Sequence, residues 1–145
     1  MPRALLLVDG PSDQPLGRHV TKLARVHGCE LDVVTPDLTR LSPPPGHAVG
    51  DRLQRVLAFD GSFDLVIVHR DAEGHPADQR RREVAEAVEA VKPELPHLPV
   101  IPVRMTDAWL LVDEEAIRRV AGRPGGREPL NLPSLRQVEN VPDAK

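Results

Sequence analysis

Four short, mostly apolar runs divide this sequence, and a segment with helical spacing follows each of them. The runs are residues 4–8, 31–35, 63–68 and 100–103. Short runs rich in aliphatic residues are typical of strands that are buried in a sheet. Strands that alternate with helices pair in parallel, because each helix returns the chain to the same edge of the sheet. The sequence therefore predicts an α/β fold with an open, mostly parallel sheet of about four strands.

The clearest helix is predicted at residues 77–91, where apolar positions recur at helical spacing and charged residues cover the remaining positions. Further helices are predicted at residues 14–27, 51–59, 107–111, 113–120 and 134–140. Asp13 precedes the first of these, so we expect it to cap that helix. Residues 122–133 are rich in Gly, Pro and Arg without a period, which predicts a loop.

The position of a proline indicates the order of the strands. Pro102 interrupts the fourth apolar run, and proline cannot donate a hydrogen bond to a strand ladder, so this strand should lie at a sheet edge. With right-handed crossovers, the expected strand order is 2-1-3-4. The winding direction then reverses between strands one and three, where open α/β sheets bind ligands. We therefore expect Asp9 and Asp71 to face each other across this crevice.

Acidic residues follow three of the predicted strands. The candidate site residues are Asp9, Gly10 and Asp13 after the first strand, His69, Arg70, Asp71 and Glu73 after the third, and Asp107 after the fourth. Carboxylate oxygens are the ligands that Mg²⁺ and Mn²⁺ prefer. These clusters therefore predict a divalent-metal site that is used for phosphate chemistry.

Each of these residues also has a structural interpretation. Asp13 and Asp107 are typical of helix N-termini, and acidic residues such as Glu73 are common in loops. His69 is also typical of a strand-end residue that packs against the sheet. Gly10 would allow a sharp turn and the close approach of a ligand. The sequence leaves both interpretations open for these positions.

Composition and missing motifs narrow the functional classes. The net charge of −3 argues against a broadly basic surface for nucleic acid, although a local basic patch is compatible with it. No apolar run has the length of a membrane span or a signal peptide, and the single Cys29 agrees with a reducing compartment. We therefore expect a cytoplasmic protein without a membrane partner. The absence of GxGxxG, P-loop and GxSxG motifs weakens nucleotide-binding and serine-hydrolase interpretations.

In the order of its motifs, the chain resembles the Toprim (topoisomerase–primase) domain superfamily, and within it a bacterial Toprim-related family of unknown function. Residues 8–13 resemble the first Toprim motif, an acidic residue and a glycine after strand one. Residues 70–74 are similar to its Asp-x-Asp pair after strand three, and residues 105–113 to an acidic-Ala-Trp-Leu-Leu signature. Residues 141–145 resemble an Asp-Pro-Lys segment of that family.

The resemblance covers nearly the whole chain and has implications for fold and function. It implies a Toprim-like or Rossmann-like α/β domain at residues 1–122, with residues 123–145 as a loop-rich C-terminal segment packed on the same domain. By resemblance, Asp71 and Glu73 would hold Mg²⁺ or Mn²⁺, and Asp9 would transfer a proton or act as a further ligand. The implied function is a Mg²⁺-dependent phosphodiesterase or nuclease that acts on nucleic acid or nucleotide phosphates.

Two departures from the family pattern leave alternatives open. Asp9 stands where Toprim domains carry Glu, and Glu73 stands where they carry Asp. Each change moves the carboxylate oxygens by about 1.5 Å, the length of one carbon–carbon bond. The alternative functions are a non-catalytic module that binds a nucleotide, a metal or a protein, and a subunit whose site a partner or a homodimer completes.

Overall fold

The computed structural model of the chain describes residues 1–103 and 107–141, without the side chains of Asp107 and Glu139. The strands are β1 (Arg3–Leu7), β2 (Asp32–Val34), β3 (Leu65–His69) and β4 (His97–Val100). The α-helices are α1 (Leu16–Val26), α2 (Val49–Leu57), α3 (Ala77–Val91), α4 (Asp107–Leu110) and α5 (Glu114–Val120). Short 3₁₀ helices are found at Pro11–Asp13, Leu38–Arg40 and Val138–Asn140.

The chain divides into two compact units. The first contains Met1–Arg70 and His75–Ile101, and the second contains Asp71–Gly74 and Pro102–Lys145. All four strands and helices α1 to α3 belong to the first unit. The domain bounds 1–122 and 123–145 stay a prediction. Within the described ranges, no helix combines the length and the apolar character that a membrane span needs.

The four strands form one parallel sheet in the order β2-β1-β3-β4. This result confirms the predicted α/β fold and the predicted strand order. β1 lies in the middle, with Leu5 opposite Val34 of β2 and Leu7 opposite Val68 of β3. Because the strands are parallel, the carboxyl ends of β1 and β3 lie side by side at one edge of the sheet.

β4 lies at the edge of the sheet as predicted, but it begins and ends three residues earlier than the sequence indicated. The proline within it is therefore Pro99, and Pro102 lies beyond its end. The N–H groups of Val66 in β3 and of Arg70 just after it donate to the carbonyl oxygens of Pro96 and Val100, and proline retains such a carbonyl acceptor. Since alternate residues point the same way, the missing N–H of Pro99 faces away from β3, which explains why the strand tolerates proline.

The core of the first unit lies on both faces of the sheet. On one face, Leu5 and Leu7 belong to a buried cluster with Leu53 of α2 and Val84 of α3. On the other face, Ala4 and Leu6 pack against Leu16 and Val20 of α1. Successive residues of β1 thus point to opposite layers, as a strand buried on both sides requires. A buried Leu of this kind contributes about 1.5–3 kcal/mol through the removal of its surface from water.

Gly17 allows α1 to approach the end of β2 closely. A Cβ atom at this position would lie 2.5 Å from the Oγ1 atom of Thr35, which is shorter than any normal contact. Glycine lowers the stability of a helix by about 1 kcal/mol relative to alanine. At this position that loss accompanies the close packing of α1 against Thr35.

Candidate functional site

Asp9 and Arg70 form an ion pair at the carboxyl edge of the sheet. Asp9 follows β1 and Arg70 follows β3, and the two strands are neighbours. The Nη1 atom of Arg70 donates to the Oδ1 atom of Asp9 at 2.7 Å, and each side chain is 17% exposed. A partly buried pair with this geometry is a strong, charge-assisted hydrogen bond. The fold therefore places one negative and one positive group where such sheets bind ligands.

Helix α3 extends this pair into a row of alternating charges. The Nη2 atom of Arg70 lies 3.4 Å from the Oε1 atom of Glu83, and Arg80 donates to the Oε2 atom of Glu83 at 2.8 Å. The side chains of Arg80 and Glu83 are 12% and 35% exposed. The row Asp9–Arg70–Glu83–Arg80 thus fixes the ends of β1 and β3 to α3.

Arg52 of α2 holds the main chain at Asp9 through hydrogen bonds to carbonyl oxygens. Its Nη1 atom donates to the carbonyl oxygen of Val8 at 2.7 Å and to that of Asp9 at 3.2 Å. Its Nη2 atom donates to the Asp9 carbonyl and to the Nδ1 atom of His47, each at 3.2 Å, and its Nε atom donates to Gly46 at 3.1 Å. All five N–H groups of the guanidinium therefore have acceptors. Arg52 positions the backbone of Asp9.

Sequence reasoning did not single out Arg52. The available signal was its place in the first turn of a helix, where the helix dipole disfavours a cation. Burial lowers the pKa of Arg52, the charge of Asp9 opposes this change, and the nearby charge of Arg70 lowers it further. The repulsion between Arg52 and Arg70 shows that this region holds two cations at close range.

Asp13 and His69 lie close to each other near the ion pair, and His69 directly precedes Arg70 in the chain. The Oδ2 atom of Asp13 accepts a hydrogen bond from the backbone N–H of Gly10 at 3.2 Å, and it lies 3.9 Å from the Nδ1 atom of His69. His69 is 2% exposed, and burial lowers the pKa of its imidazole against the opposing charges of Asp13 and Asp9. His69 is therefore neutral at pH 7, and it lies too far from Asp13 for a direct hydrogen bond.

The predicted helix-capping role of Asp13 was wrong. Asp13 ends the 3₁₀ helix Pro11–Asp13, and its carboxylate caps that turn. Helix α1 begins later, at Leu16, with Pro15 at the N-cap position and no side-chain hydrogen bond there. The reason is local, because the 3₁₀ turn separates Asp13 from the free N–H groups of α1.

Gly10 also differs from the expectation of a sharp turn. Its backbone is extended, with φ −137° and ψ 169°, a conformation that any residue adopts. A Cβ atom at Gly10 would make only ordinary contacts, at 3.7 Å from Ser12 and 3.8 Å from Asp13. The fold therefore does not require glycine at this position.

The second unit contains the predicted metal ligands Asp71 and Glu73. Between them, Ala72 is 1% exposed and its N–H donates to the Pro102 carbonyl at 3.1 Å. Asp71 is half-buried and Glu73 is exposed. Glu73 has a left-handed backbone with φ 50°, and Gly74 follows with φ 83°. The segment is thus anchored at Ala72 and turns tightly at Glu73.

Asp107 begins helix α4 in the same unit. The neighbouring Ala108 is fully buried, and Val138 is 5% exposed. The side chain of Asp107 lies outside the described residues, as do residues 104–106 and 142–145, which belong to two of the Toprim-like motifs. A role for Asp107 in the site therefore stays a prediction.

Asp71 and Glu73 carry carboxylate oxygens, a donor type that Mg²⁺ accepts, and their role as metal ligands stays a prediction. Across residues 1–103 and 107–141, no group of three or more His, Cys, Asp or Glu side chains is arranged to hold a metal ion. Mg²⁺ keeps several waters and uses one or two protein carboxylates together with substrate phosphates. Two carboxylates would be enough for a site of this kind. Asp9 and Asp71 belong to different units, so their predicted position across one crevice stays a prediction.

A small cavity opens beside the end of β1 in the first unit. Its volume is about 50 Å³, and Asp9, Gly10, Gln14, Thr39 and Arg52 are among its lining residues. This volume holds a few water molecules and is far below the size of a nucleotide pocket. A large ligand in this unit would therefore lie over the strand ends and not inside the cavity.

The structure distributes the predicted site residues between the two units. Asp9, Gly10, Asp13, His69 and Arg70 lie together in the first unit, and Asp71, Glu73 and Asp107 belong to the second. The Toprim resemblance rests on these motifs and their order. Comparisons of the chain with protein-family models, with curated proteins and with solved structures found no match.

Proposed function

We propose that this chain is a Toprim-like, Mg²⁺-dependent phosphodiesterase or nuclease that acts on nucleic acid or nucleotide phosphates. The observation that carries the proposal is the ion pair of Asp9 and Arg70, 2.7 Å long, at the carboxyl ends of β1 and β3. The strand order reverses its winding direction at this point, and ligands of open α/β sheets bind there. A phosphate ester suits a site that offers both a cation and a carboxylate.

Each acidic residue has a role in this proposal. Asp71 and Glu73 would hold the Mg²⁺ ion, which would neutralise phosphate charge and provide an activated oxygen nucleophile. Asp9 would hold or accept a proton, with its carboxylate oriented by Arg70 and its backbone held by Arg52. Such positioning matters because a misplacement of 1 Å can cost about 10²-fold in rate.

The backbone of Glu73 supports a role for this residue. A non-glycine residue in the left-handed region costs about 1–2 kcal/mol, and Glu73 has φ 50°. Strain of this kind is concentrated at functional sites, where the surrounding structure maintains it.

A cleavage assay tests the proposed activity. Single- and double-stranded DNA and RNA are incubated with the protein and Mg²⁺, Mn²⁺ or EDTA, beside the variants Asp71→Asn and Asp78→Asn. Asp78 is a matched control, because its side chain is 83% exposed and its ion pair with Arg81 lies within α3. We expect cleavage that needs metal, is lost in Asp71→Asn and is kept in Asp78→Asn. Cleavage that survives in Asp71→Asn would contradict the proposal.

A second candidate is a binding module for a nucleotide or another phosphorylated ligand, without catalysis. It is favoured because the Asp9 carboxylate already has a cationic partner in Arg70, and because the described residues gather no set of three metal donors. Metal-dependent nucleotide binding without turnover would support this candidate. A partner or a homodimer that completes the site also stays a prediction, which a mass measurement in solution tests.

We also propose a cytoplasmic location. The single Cys29 is exposed and free within the described chain, and an exposed free thiol is typical of a reducing compartment. Fractionation of the cells that produce the protein tests this part of the proposal.

A further inference from the structure

The guanidinium of Arg70 is only partly used by the protein. Its Nη1 atom donates to Asp9 at 2.7 Å and lies 3.5 Å from the carbonyl oxygen of His47. Its Nη2 atom lies 3.4 Å from Glu83, at the long end of an ion pair. Its Nε atom is buried and reaches no acceptor among the residues that the structure describes. The edge formed by Nε and Nη2 is therefore the underused side of this guanidinium.

A buried donor without an acceptor is unusual in a native protein. Such a group loses its hydrogen bond to water on folding and gains nothing in return, so more than nine in ten buried polar groups have partners. Arg70 carries this unpaired donor directly after β3, at the edge of the sheet where ligands of this architecture bind. A ligand bound at this edge would supply the acceptor that the Nε–H group of Arg70 lacks among the described residues.

The geometry of this edge selects the kind of acceptor. The N–H groups on Nε and Nη2 of an arginine are parallel and match two oxygen atoms of one phosphate or carboxylate group. The local charge favours an anion at this edge, because the guanidinium of Arg52 lies close enough to Arg70 for the two positive charges to repel each other, and a bound anion would offset that repulsion.

Glu83 is the neighbour that can give way to an incoming anion. Its contact with Arg70 is long, at 3.4 Å, whereas its hydrogen bond with Arg80 is short, at 2.8 Å. Its side chain is also 35% exposed. Glu83 can thus leave Arg70 and remain paired with Arg80, which opens the Nη2 side of the guanidinium without leaving a carboxylate unpaired.

We propose that Arg70 binds a phosphate group of the ligand through the Nε–Nη2 edge of its guanidinium, while Nη1 stays on Asp9. The inference rests on the proposed function, because it assigns the phosphate to the substrate of that site. It makes Arg70 the residue that couples phosphate binding to the position of the Asp9 carboxylate. A phosphate bound in this way is held beside Asp9 by one rigid, planar group.

The test follows the arginine Nε–H signals of the ¹⁵N-labelled full chain by NMR, during titration with inorganic phosphate in EDTA. Arg70→Lys keeps the charge but loses the two-pronged edge. Arg55→Lys is the matched control, because Arg55 also has a buried Nε atom without a described acceptor, and its described contacts are the Ser42 carbonyl and the Phe59 ring, away from Asp9. We expect the Arg70 signal to shift, and Arg70→Lys to weaken phosphate binding about tenfold or more. Arg55→Lys should bind phosphate like the native chain.

The inference would be overturned by an Arg70 Nε–H signal that phosphate does not move, or by equal phosphate affinity in Arg70→Lys and the native chain. Acetate in place of phosphate separates recognition of phosphate from that of any bidentate anion, and equal affinity for both would also overturn it. Since the titration needs neither metal nor turnover, phosphate binding without cleavage contradicts only the proposed catalysis. Metal-dependent cleavage with an unchanged KM in Arg70→Lys contradicts only the inference about Arg70.

Discussion

At the scale of single residues, Glu73 combines an exposed carboxylate with an unfavourable backbone conformation. Its φ of 50° is one that glycine adopts without strain and that other residues avoid. The following Gly74, with φ 83°, continues the same turn. The turn needs left-handed backbone at two successive positions, yet only one of them carries glycine. The backbone at position 73 therefore favours glycine, whereas the proposed role as a metal ligand requires a carboxylate.

Substitution of Glu73 should therefore change stability and metal binding in different ways. Glu73→Gly relieves the strain, so its free energy of unfolding should exceed that of Glu73→Ala by about 1 kcal/mol. Both variants remove the carboxylate and should weaken Mn²⁺ binding equally. Urea unfolding measures the first effect and metal titration the second. Native Mn²⁺ affinity in Glu73→Gly would show that Glu73 is not a ligand.

At the scale of secondary-structure elements, the closeness of α1 to β2 depends on a single glycine. A methyl group at Gly17 would meet Thr35 at 2.5 Å. Gly50 of α2 is a natural comparison, since a methyl group there would lie 3.9 Å from Val91 and 4.0 Å from Ala87. Both glycines lie in helices, but only Gly17 is required by its surroundings.

Alanine should consequently have opposite effects at these two positions. Gly17→Ala should lower the free energy of unfolding by about 1–3 kcal/mol, because the overpacking outweighs the gain in helix propensity. Gly50→Ala should raise it by about 0.5–1 kcal/mol. Thermal or urea unfolding of the two variants measures both values. The double variant Gly17→Ala/Thr35→Ala should recover most of the loss, and no recovery would contradict the contact as its cause.

The bounds of some elements were predicted more accurately from the sequence than those of others. The structure confirms α3 at the predicted bounds, Ala77–Val91, because its apolar stripe is regular and a proline precedes it. β4 was placed three residues too late, since the apolar run used to predict it begins only at Val100, after Pro99. Strand periodicity cannot locate such a segment, because a proline can contribute only a carbonyl acceptor to a ladder, as Pro96 does towards Val66 just before β4.

At the scale of the whole chain, the sequence predicted the strand order but only part of the candidate site. Topological rules and one edge strand were enough for the order β2-β1-β3-β4. The hydrogen bonds from Arg52 to the Asp9 carbonyl, however, join residues that are 43 positions apart. No local pattern reports a contact of this kind. Asp9 and Arg70 were found because both follow apolar runs, whereas Arg52 and Glu83 look like ordinary residues of helix surfaces.

A charged network at the opposite edge of the sheet should make global stability sensitive to acid. The side-chain and backbone hydrogen bonds from Ser62, followed by Arg3, lower the pKa of Asp60 from 3.8 to about 2. Arg3 also bonds Asp32 at the start of β2, so this network joins the amino ends of β1 and β2 to the loop before β3.

Because the folded pKa of Asp60 is depressed, its contribution is complete above pH 3.8 and is lost as the pH falls towards 2. Asp60→Asn should therefore reduce the dependence of stability on pH within this window. Urea unfolding of both proteins between pH 5 and pH 2 measures the difference. Parallel pH profiles for the two proteins would contradict this assignment.

The proline in β4 has a consequence for the behaviour of the chain at high concentration. An edge strand normally offers a row of unpaired N–H groups on which a second molecule can add a strand, and this pairing starts aggregation. The missing N–H of Pro99 interrupts that row on the side facing away from β3, although Leu98 in the same strand is 51% exposed. We therefore expect Pro99 to hinder the addition of a second molecule to this edge of the sheet, and so to slow the growth of fibrils.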